Sequence, residues 1–440
     1  MESLPTDIEP TPGFRSLLRW RTTRGGLWRH RDFMRLWAGQ TVSQLGSTMT
    51  REALPYTAIL ALHATPVQMG LLGAAGAAPL LLFGLLAGVW VDRLRRRPIM
   101  IAADLARALL LLWVPAAYLI GWLQIEQLYL LAALVGVLSV FFNVAYQSYL
   151  PTLIVRAQLV EGNSKLGVSD SLAEIGGPPL GGALVQLING PITLLLDALS
   201  FLVSAFTLVR IKAVEPAPAP PETRQHIWRD LTTGLRAVWA DPLLRPIAGS
   251  SAITSFFGWF FGAIYGLYAI NIVGMGTAVL GLTVACGGIG SLLGALLVGP
   301  ITRRFGVGRA TIGALLIGSA VSTLTWLAGG LLFIAVPLMM TAQLVGDMTA
   351  SIAMINEVSL RQTITPDRQL GRVNSVMRVL GEGVGTLGLL TGGALAETIG
   401  LRATIAVAIV ARWRANCGWS ARRCADCARC RRRWSELARL

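Results

Sequence analysis

The side chains of this sequence that could do chemistry are charges placed where charge is expensive. Arg51 and Glu52 interrupt one apolar run, and Glu174, Asp347 and Glu382 each interrupt another. A charge at the centre of a membrane-spanning helix costs about 2.5–3.5 kcal/mol on insertion scales, so a charge that persists there has a partner or a task. A carboxyl group desolvated in a cavity can load and release a proton near neutral pH. The chemistry expected of Glu52, Glu174, Asp347 and Glu382 is therefore proton coupling or cation binding, with Arg51 holding one of them ionised until substrate displaces it. A buried structural ion pair is the competing account. Asp104 and Arg107 are three apart, share a helical face and read as a local pair. Asp197, two turns into its span and close to the outer surface, reads equally as a packing or capping residue and as a functional one. Around them, seven aromatic residues fall between Phe256 and Tyr268. They cannot all share one face. Phe257, Phe261 and Tyr265 are the candidates for the wall of a site for a large amphiphilic molecule. No Gly-x-x-x-x-Gly-Lys loop occurs, which argues against a nucleotide-driven pump. No metal, cofactor or enzymatic centre is read from the chain.

The elements that must position these groups follow from composition. Of 440 residues 54% are hydrophobic and 14% charged, where soluble proteins carry about a quarter. About 20 apolar residues span the roughly 30 Å hydrocarbon layer. Eleven such spans are expected, at about 36–62, 68–91, 99–122, 127–150, 164–188, 191–211, 246–272, 277–301, 308–330, 331–357 and 372–396. A twelfth, 400–411, is doubtful: only nine residues separate Arg402 from Arg412, about 14 Å of helix. The chain is thus an all-α polytopic membrane protein whose last helix reads as truncated.

The net charge of +15 sits in loops and at the two ends, so it reads as topology rather than as a nucleic-acid surface. Arg15 to Arg35, Arg93 to Arg97, Arg156 with Lys165, Arg210 to Arg245, Arg303 to Arg309, and Arg361 to Arg372 fall on one side. The loops near 63–67, 123–126, 189–191, 273–277 and 328–331 carry no Lys or Arg. That pattern places the N-terminus in the cytoplasm. Residues 1–31 have no apolar core region, so the first span is expected to direct its own insertion.

The expected organisation is a basic segment 1–34, a six-helix bundle 35–211, a linker 212–245, a second bundle 246–411 and an Arg/Cys-rich tail 412–440. The linker opens on Pro216 to Pro221, a stiff extended run. It then carries Ile227, Leu231, Leu235 and Val238 at helical spacing, as a surface helix would. The tail holds four of the five cysteines, with the spacing Cys424-x-x-Cys427-x-x-Cys430. With no fold around them these do not read as a metal site. Lys165 and Lys212 are the only lysines, a sign of GC-rich coding DNA, and the tail has the character of such DNA read out of frame from near codon 411.

The two bundles are copies. Gly88 and Gly299, Gln158-Leu159 and Gln369-Leu370, and Gly181-Gly182-Ala183-Leu184 and Gly392-Gly393-Ala394-Leu395 are all 211 residues apart. Parallel six-helix repeats place a substrate site near the midplane between them.

With that repeat in view, the loop Gly88-Val89-Trp90-Val91-Asp92-Arg93-Leu94-Arg95-Arg96-Arg97 resembles the signature of the major facilitator superfamily. Gly88 permits close helix approach, Asp92 can pair with a cation or a helix N-terminus, and Arg93, Arg96 and Arg97 can lock the cytoplasmic face. The second-half copy has Arg303 where the first has Asp92. Gly177-Pro178-Pro179-Leu180-Gly181-Gly182 resembles the span-five motif of drug:proton antiporters, with Ala173 in place of that family's earlier glycine. Its prolines bend a helix and its glycines admit a neighbour. Arg31-Asp32-Phe33-Met34-Arg35-Leu36-Trp37, Ala145 to Pro151 and Asp197 to Phe201 are similar to the macrolide-efflux and siderophore-exporter branch, over most of residues 31–400. That branch often has an acid where Asn143 stands here. The resemblance implies the major facilitator fold, two six-helix bundles related by a pseudo-two-fold axis. It also implies a monomer in a bacterial plasma (inner) membrane that exports an amphiphilic drug, macrolide or siderophore in exchange for protons by alternating access. A non-transporting receptor or scaffold, an inactive transporter and an uptake symporter are the alternatives.

Overall fold

In a computed structural model, the structure describes residues 26–416 apart from Asp92 and residues 156–157, 214, 216–231, 233–234, 237 and 242–243. A short 3-10 turn, Leu27–Arg29, leads into α1 (Arg31–Leu60). There follow α2 (Pro66–Val91), α3 (Arg96–Leu119), α4 (Ile125–Leu153), α5 (Leu159–Ile188) and α6 (Gly190–Arg210). The second half comprises α7 (Leu244–Leu267), which runs on as a π-helical turn Tyr268–Ile272, then α8 (Thr277–Phe305), α9 (Val307–Leu327), α10 (Leu332–Ile364) and α11 (Asp367–Ile399). A twelfth helix, α12, covers residues 401–416. It thus passes the expected break at 411. Asn416 Nδ2 donates to Ser319 Oγ of α9 at 2.9 Å, which gives the added turn a partner. The cysteine-rich remainder, including Cys417, Cys424, Cys427 and Cys430, lies outside the described residues.

Among the described residues nine helices are long and apolar enough to cross a membrane, fewer than the eleven expected. The two long exceptions are α1 and α5, 30 residues each. They carry Arg51, Glu52, Asp170 and Glu174, which lowers their hydropathy without shortening them. They can afford polar residues because they pack on each other and on α6 or α8 as well as on lipid.

The repeat survives in the backbone. His63 and Gly274, 211 apart, both take a left-handed φ, +51° and +78°. The next residues, Ala64 and Met275, donate to Ala58 O and Ala269 O, each at 2.9 Å. Asn189 and Gly400, also 211 apart, have φ of +89° and +84°. Thr193 and Thr404 return their hydroxyls to the carbonyls of those two residues at 2.7 and 2.8 Å. A left-handed non-glycine costs free energy. Asn189 offsets part of that by accepting from Ile192 N at 3.0 Å, which caps α6.

Within the first half α1 packs on α5 and α6, α2 on α4, and α3 on α4 and α6; within the second, α7 packs on α11, α8 on α10 and α9 on α10. The halves meet along two seams, α5 with α8 and α2 with α11. Both seams close at the end of the bundle remote from the start of α1, the far end. There one apolar core draws on both halves, including Tyr56, Ile59, Leu72, Ile264, Leu267 and Leu389. At the near end the cores are separate. One holds Phe33, Leu36, Met100, Phe142 and Leu208 of the first half, and the other Leu244, Ile247, Val373 and Val376 of the second. Of the expected surface helix, Val238 is buried in that last core and Leu235 is exposed. Ile227, Leu231 and the run Pro216 to Pro221 lie outside the described residues.

Candidate functional site

A cavity of about 970 Å³ lies between the halves. The first half contributes Gln44, Arg51 and Glu52 of α1, Arg107 of α3, Asn143 of α4 and Asp197 of α6; the second contributes Phe261 and Tyr265 of α7 and Gln343 and Asp347 of α10, with Arg412 of α12. Helix α5 supplies no lining residue. It stands behind α1, so its motif acts on the wall rather than in it.

The glycines of that motif are contact points. A Cβ on Gly177 would strike Thr48 Oγ1, and one on Gly181 would meet the Met49 backbone at 3.0 Å, both on α1. On the opposite face a Cβ on Gly182 would strike the Thr277 carbonyl of α8, and the Pro178 carbonyl lies against Gly281. Pro178 and Pro179 sit inside the continuous helix. The unbonded carbonyls that prolines leave behind occur where a second backbone needs close approach.

Arg51 and Glu174 come together across α1 and α5. The guanidinium donates to Oε1 at 2.8 Å and Oε2 at 3.2 Å, a two-pronged pair. The two side chains are 57% and 52% exposed, so the pair faces open space. Glu52 also lines the cavity and accepts from Tyr56 OH at 2.8 Å. Asp347 accepts from Gln343 Nε2 at 2.9 Å and faces the charge of Arg412. Glu382 is half-buried on α11 and absent from the cavity lining. The structure therefore brings Arg51, Glu52 and Asp347 to one cavity, places Glu174 behind Arg51, and leaves Glu382 apart. Phe261 and Tyr265 form a wall, with ring centroids 5.3 Å apart. Phe257 does not line the cavity and instead packs on Phe256 and Phe260.

The basic loop binds within its own half. Arg97 Nε and Nη2 donate to the Leu208 and Val209 carbonyls at the end of α6, at 2.9 and 2.7 Å. Glu215, which the sequence did not single out, accepts from Arg96 N at 2.7 Å and Arg97 N at 3.2 Å, closing the first turn of α3. Asp32 accepts from Lys212 N and Ala213 N at 3.2 and 2.9 Å, so the segment after α6 is held from both sides. Gly88 has open space around it and Arg93 is exposed. Asp92 lies outside the described residues.

Asp197, expected near the outer surface, is 1% exposed and sits on the cavity wall with Arg107. Arg412 and Glu215 had no periodic signal to give them away, because their partners are distant in sequence, and the spacing of Arg107 announced only its near partner, Asp104.

Two matched halves with a shared central cavity describe one known architecture, and residues 36–276 match the Major Facilitator Superfamily. The chain belongs to that superfamily. It is a multi-pass membrane transporter and not an enzyme. It is similar to the multidrug efflux pump Tap of Mycolicibacterium fortuitum, 30% identical over 371 residues that cover 82% of this chain and 88% of that protein. It also resembles the enterobactin exporter EntS of Citrobacter koseri, 24% identical over 364 residues, 81% of this chain and 84% of that one. Among solved structures, a bacterial homologue of the iron transporter ferroportin in its inward-facing state matches with a TM-score of 0.70 at 17% identity, covering 89% of this chain and 98% of that one. The outward-facing state of such a homologue matches at 0.56.

Proposed function

We propose that this transporter exports an amphiphilic small molecule, of the size and character of a macrolide or siderophore, in exchange for protons. The observation that carries the proposal is the composition of the central cavity. Phe261 and Tyr265 give one apolar wall, while Glu52, Asp347, Arg51 and Arg412 place charge within the same space. Such a site binds an amphiphile by its face and its polar groups together, and its carboxylates can trade a proton for it. The named functions of Tap and EntS support the outward direction.

The positive-inside pattern supports an N-terminus in the cytoplasm. With that orientation the shared core and the two seams close the outer side, and the cavity faces the cytoplasm. The better match to the inward-facing ferroportin homologue supports the same state. Alternating access would separate the seams at the far end and join the near-end cores, with α5 and its glycines sliding against α1 and α8. Glu174 would stabilise Arg51 in the state seen here, and the Arg93–Arg97 loop would meet the second half only in the outward state.

Everted membrane vesicles test this. Addition of a macrolide to energised vesicles should release protons and accumulate the macrolide inside. Accumulation without proton movement would remove the antiport mechanism. Uptake in right-side-out cells driven by the same gradient would reverse the direction.

A further inference from the structure

We propose that Asp104, Arg107 and Asp197, buried in the first half beside the cavity, form a site that holds one proton. The inference deepens the antiport reading above and rests on it for its role in transport, though not for the site itself. Asp104 is fully buried and pairs with Arg107 Nη2. Arg107 is 5% exposed and lies between the rings of Phe142 and Phe201, 4.4 and 4.1 Å from their centres. It also donates to Ser139 Oγ at 3.3 Å and faces the charge of Asp197. Asp197 in turn accepts from Ser200 Oγ at 2.8 Å.

Two buried carboxylates thus face one guanidinium, Asp104 in direct contact and Asp197 through its charge. No further cation answers the surplus. From α1 the charged groups are Arg31, Asp32 and Arg35 in its first two turns, the last two paired with each other, then Arg51, committed to Glu174, and Glu52. From α4 the nearest polar groups are Ser139 and Asn143, and its single charge, Glu126, lies in its first turn. From α5 there are Glu161, Lys165, Asp170 and Glu174, and from α6 only Asp197 and the terminal Arg210. Besides Arg107, the Asp104 carboxylate has only the Ser204 hydroxyl beside it, and no cation reaches its Oδ2 among the described residues. An uncompensated buried charge is strongly disfavoured, and one added proton restores balance. Bound on Asp104 Oδ2 or on Asp197, it leaves one carboxylate to match Arg107.

The duplication supplies an internal control. At the positions 211 further on, where the backbone and packing repeat, stand Leu315, Gly318 and Ala408. The fold is built without the cluster in one half, so the first half does not keep it for packing. Its placement suits coupling. A Cβ on Gly46 of α1 would strike both Asp197 Oδ1 and Ser200 Oγ. Two and three residues on, Thr48 and Met49 bear on Gly177 and Gly181 of α5. A change in charge at Asp197 therefore acts on the helix that carries the α5 motif.

The test is infrared titration of the full-length protein in liposomes. At neutral pH the wild type should show the carbonyl stretch of one protonated carboxyl group that is lost in Asp197→Asn and in Asp104→Asn, and retained in Glu52→Gln and Asp347→Asn. Asp197→Ala, the residue type found at 408, guards against a folding failure of the amide variants. Persistence of the band in all three variants would overturn the site. So would its absence in the wild type together with stabilisation by sodium or potassium ions, which would make the cluster a metal-cation site. In the same liposomes, pH-gradient-driven accumulation of a radiolabelled macrolide should vanish in Asp197→Asn while downhill exchange persists. If the wild type accumulates nothing but the band behaves as expected, the antiport reading fails and the proton site stands. If the variant accumulates like the wild type, coupling through this site fails and the antiport reading stands.

Discussion

Gln186 and Glu397, 211 residues apart, make the same contact on opposite seams. Gln186 Oε1 at the end of α5 accepts from Ala278 N in the first turn of α8, at 3.1 Å. Glu397 Oε2 at the end of α11 accepts from Val67 N in the first turn of α2, at 3.4 Å. The glycines follow the same rule. A Cβ on Gly182 would strike Thr277 O, and one on Gly393 would meet Pro66 O at 2.5 Å. One on Gly281 would strike Pro178 O, and one on Gly70 would meet Leu389 O at 2.6 Å.

The first prediction concerns these seams. Gly182→Val or Gly393→Val should wedge the far end open. Overpacking of this kind costs about 1–3 kcal/mol, enough to shift a two-state population by roughly five- to 150-fold. In a background with all five native cysteines replaced, a Leu280→Cys reporter on the cavity wall should then react with an impermeant thiol reagent applied outside intact cells. Labelling no faster than in the parent would count against the seams as the outer closure.

A second prediction separates stability from transport. The Arg51–Glu174 pair is more than half exposed, and exposed pairs contribute about 0–1 kcal/mol. Glu174→Gln should leave the unfolding temperature of the purified protein close to that of the parent while reducing proton-driven export. A large drop in stability with normal export would mark the pair as structural only.

For the aromatic residues the structure divides what the sequence grouped. Phe261→Ala and Tyr265→Ala should each weaken macrolide binding by roughly tenfold, about 1.4 kcal/mol, with the fold intact. Phe257→Ala should instead lower thermal stability and leave binding nearly unchanged. Equal binding losses in all three would restore Phe257 to the wall.

The cap at Glu215 offers a fourth measurement. Glu215→Ala removes the acceptor for two N–H groups of the first turn of α3. Loss of a helix cap costs about 0.5–2 kcal/mol. The expected result is a fall in thermal stability that Glu215→Asp partly restores, and a stability equal to the parent would show the contact to be dispensable.

How much of this was legible beforehand depends on range. The offset of 211 was visible in glycine pairs and announced the duplication, but which helices meet across the halves emerges only from their packing. The α5 motif was legible because glycine and proline announce their backbone consequences locally. Arg107 with Asp197 was not, since their elements meet only when α3 packs on α6. Asp104 and Arg107 looked like a self-contained pair at i, i+3 spacing, and only the fold brings a second carboxylate to them. The face of α7 was undetermined because aromatic residues surround the helix, and α11 decides which of them it covers. The length of α12 was underestimated because Arg412 seemed to end its apolar stretch, while in the fold Arg412 faces the charge of Asp347 on α10 and Asn416 donates to Ser319 on α9.

The paired seams also carry a history. In every one of them a contact between residue i and residue j is answered by one between the copies of j and i. That reciprocity is the mark of an isologous interface between two identical subunits related by a two-fold axis. The groove that now separates the halves of one polypeptide has the form of a dimer interface, with residues 212–243 as the tether that made two subunits into one. A six-helix fragment ending before that tether would expose the α2 and α5 faces that once found each other in a partner.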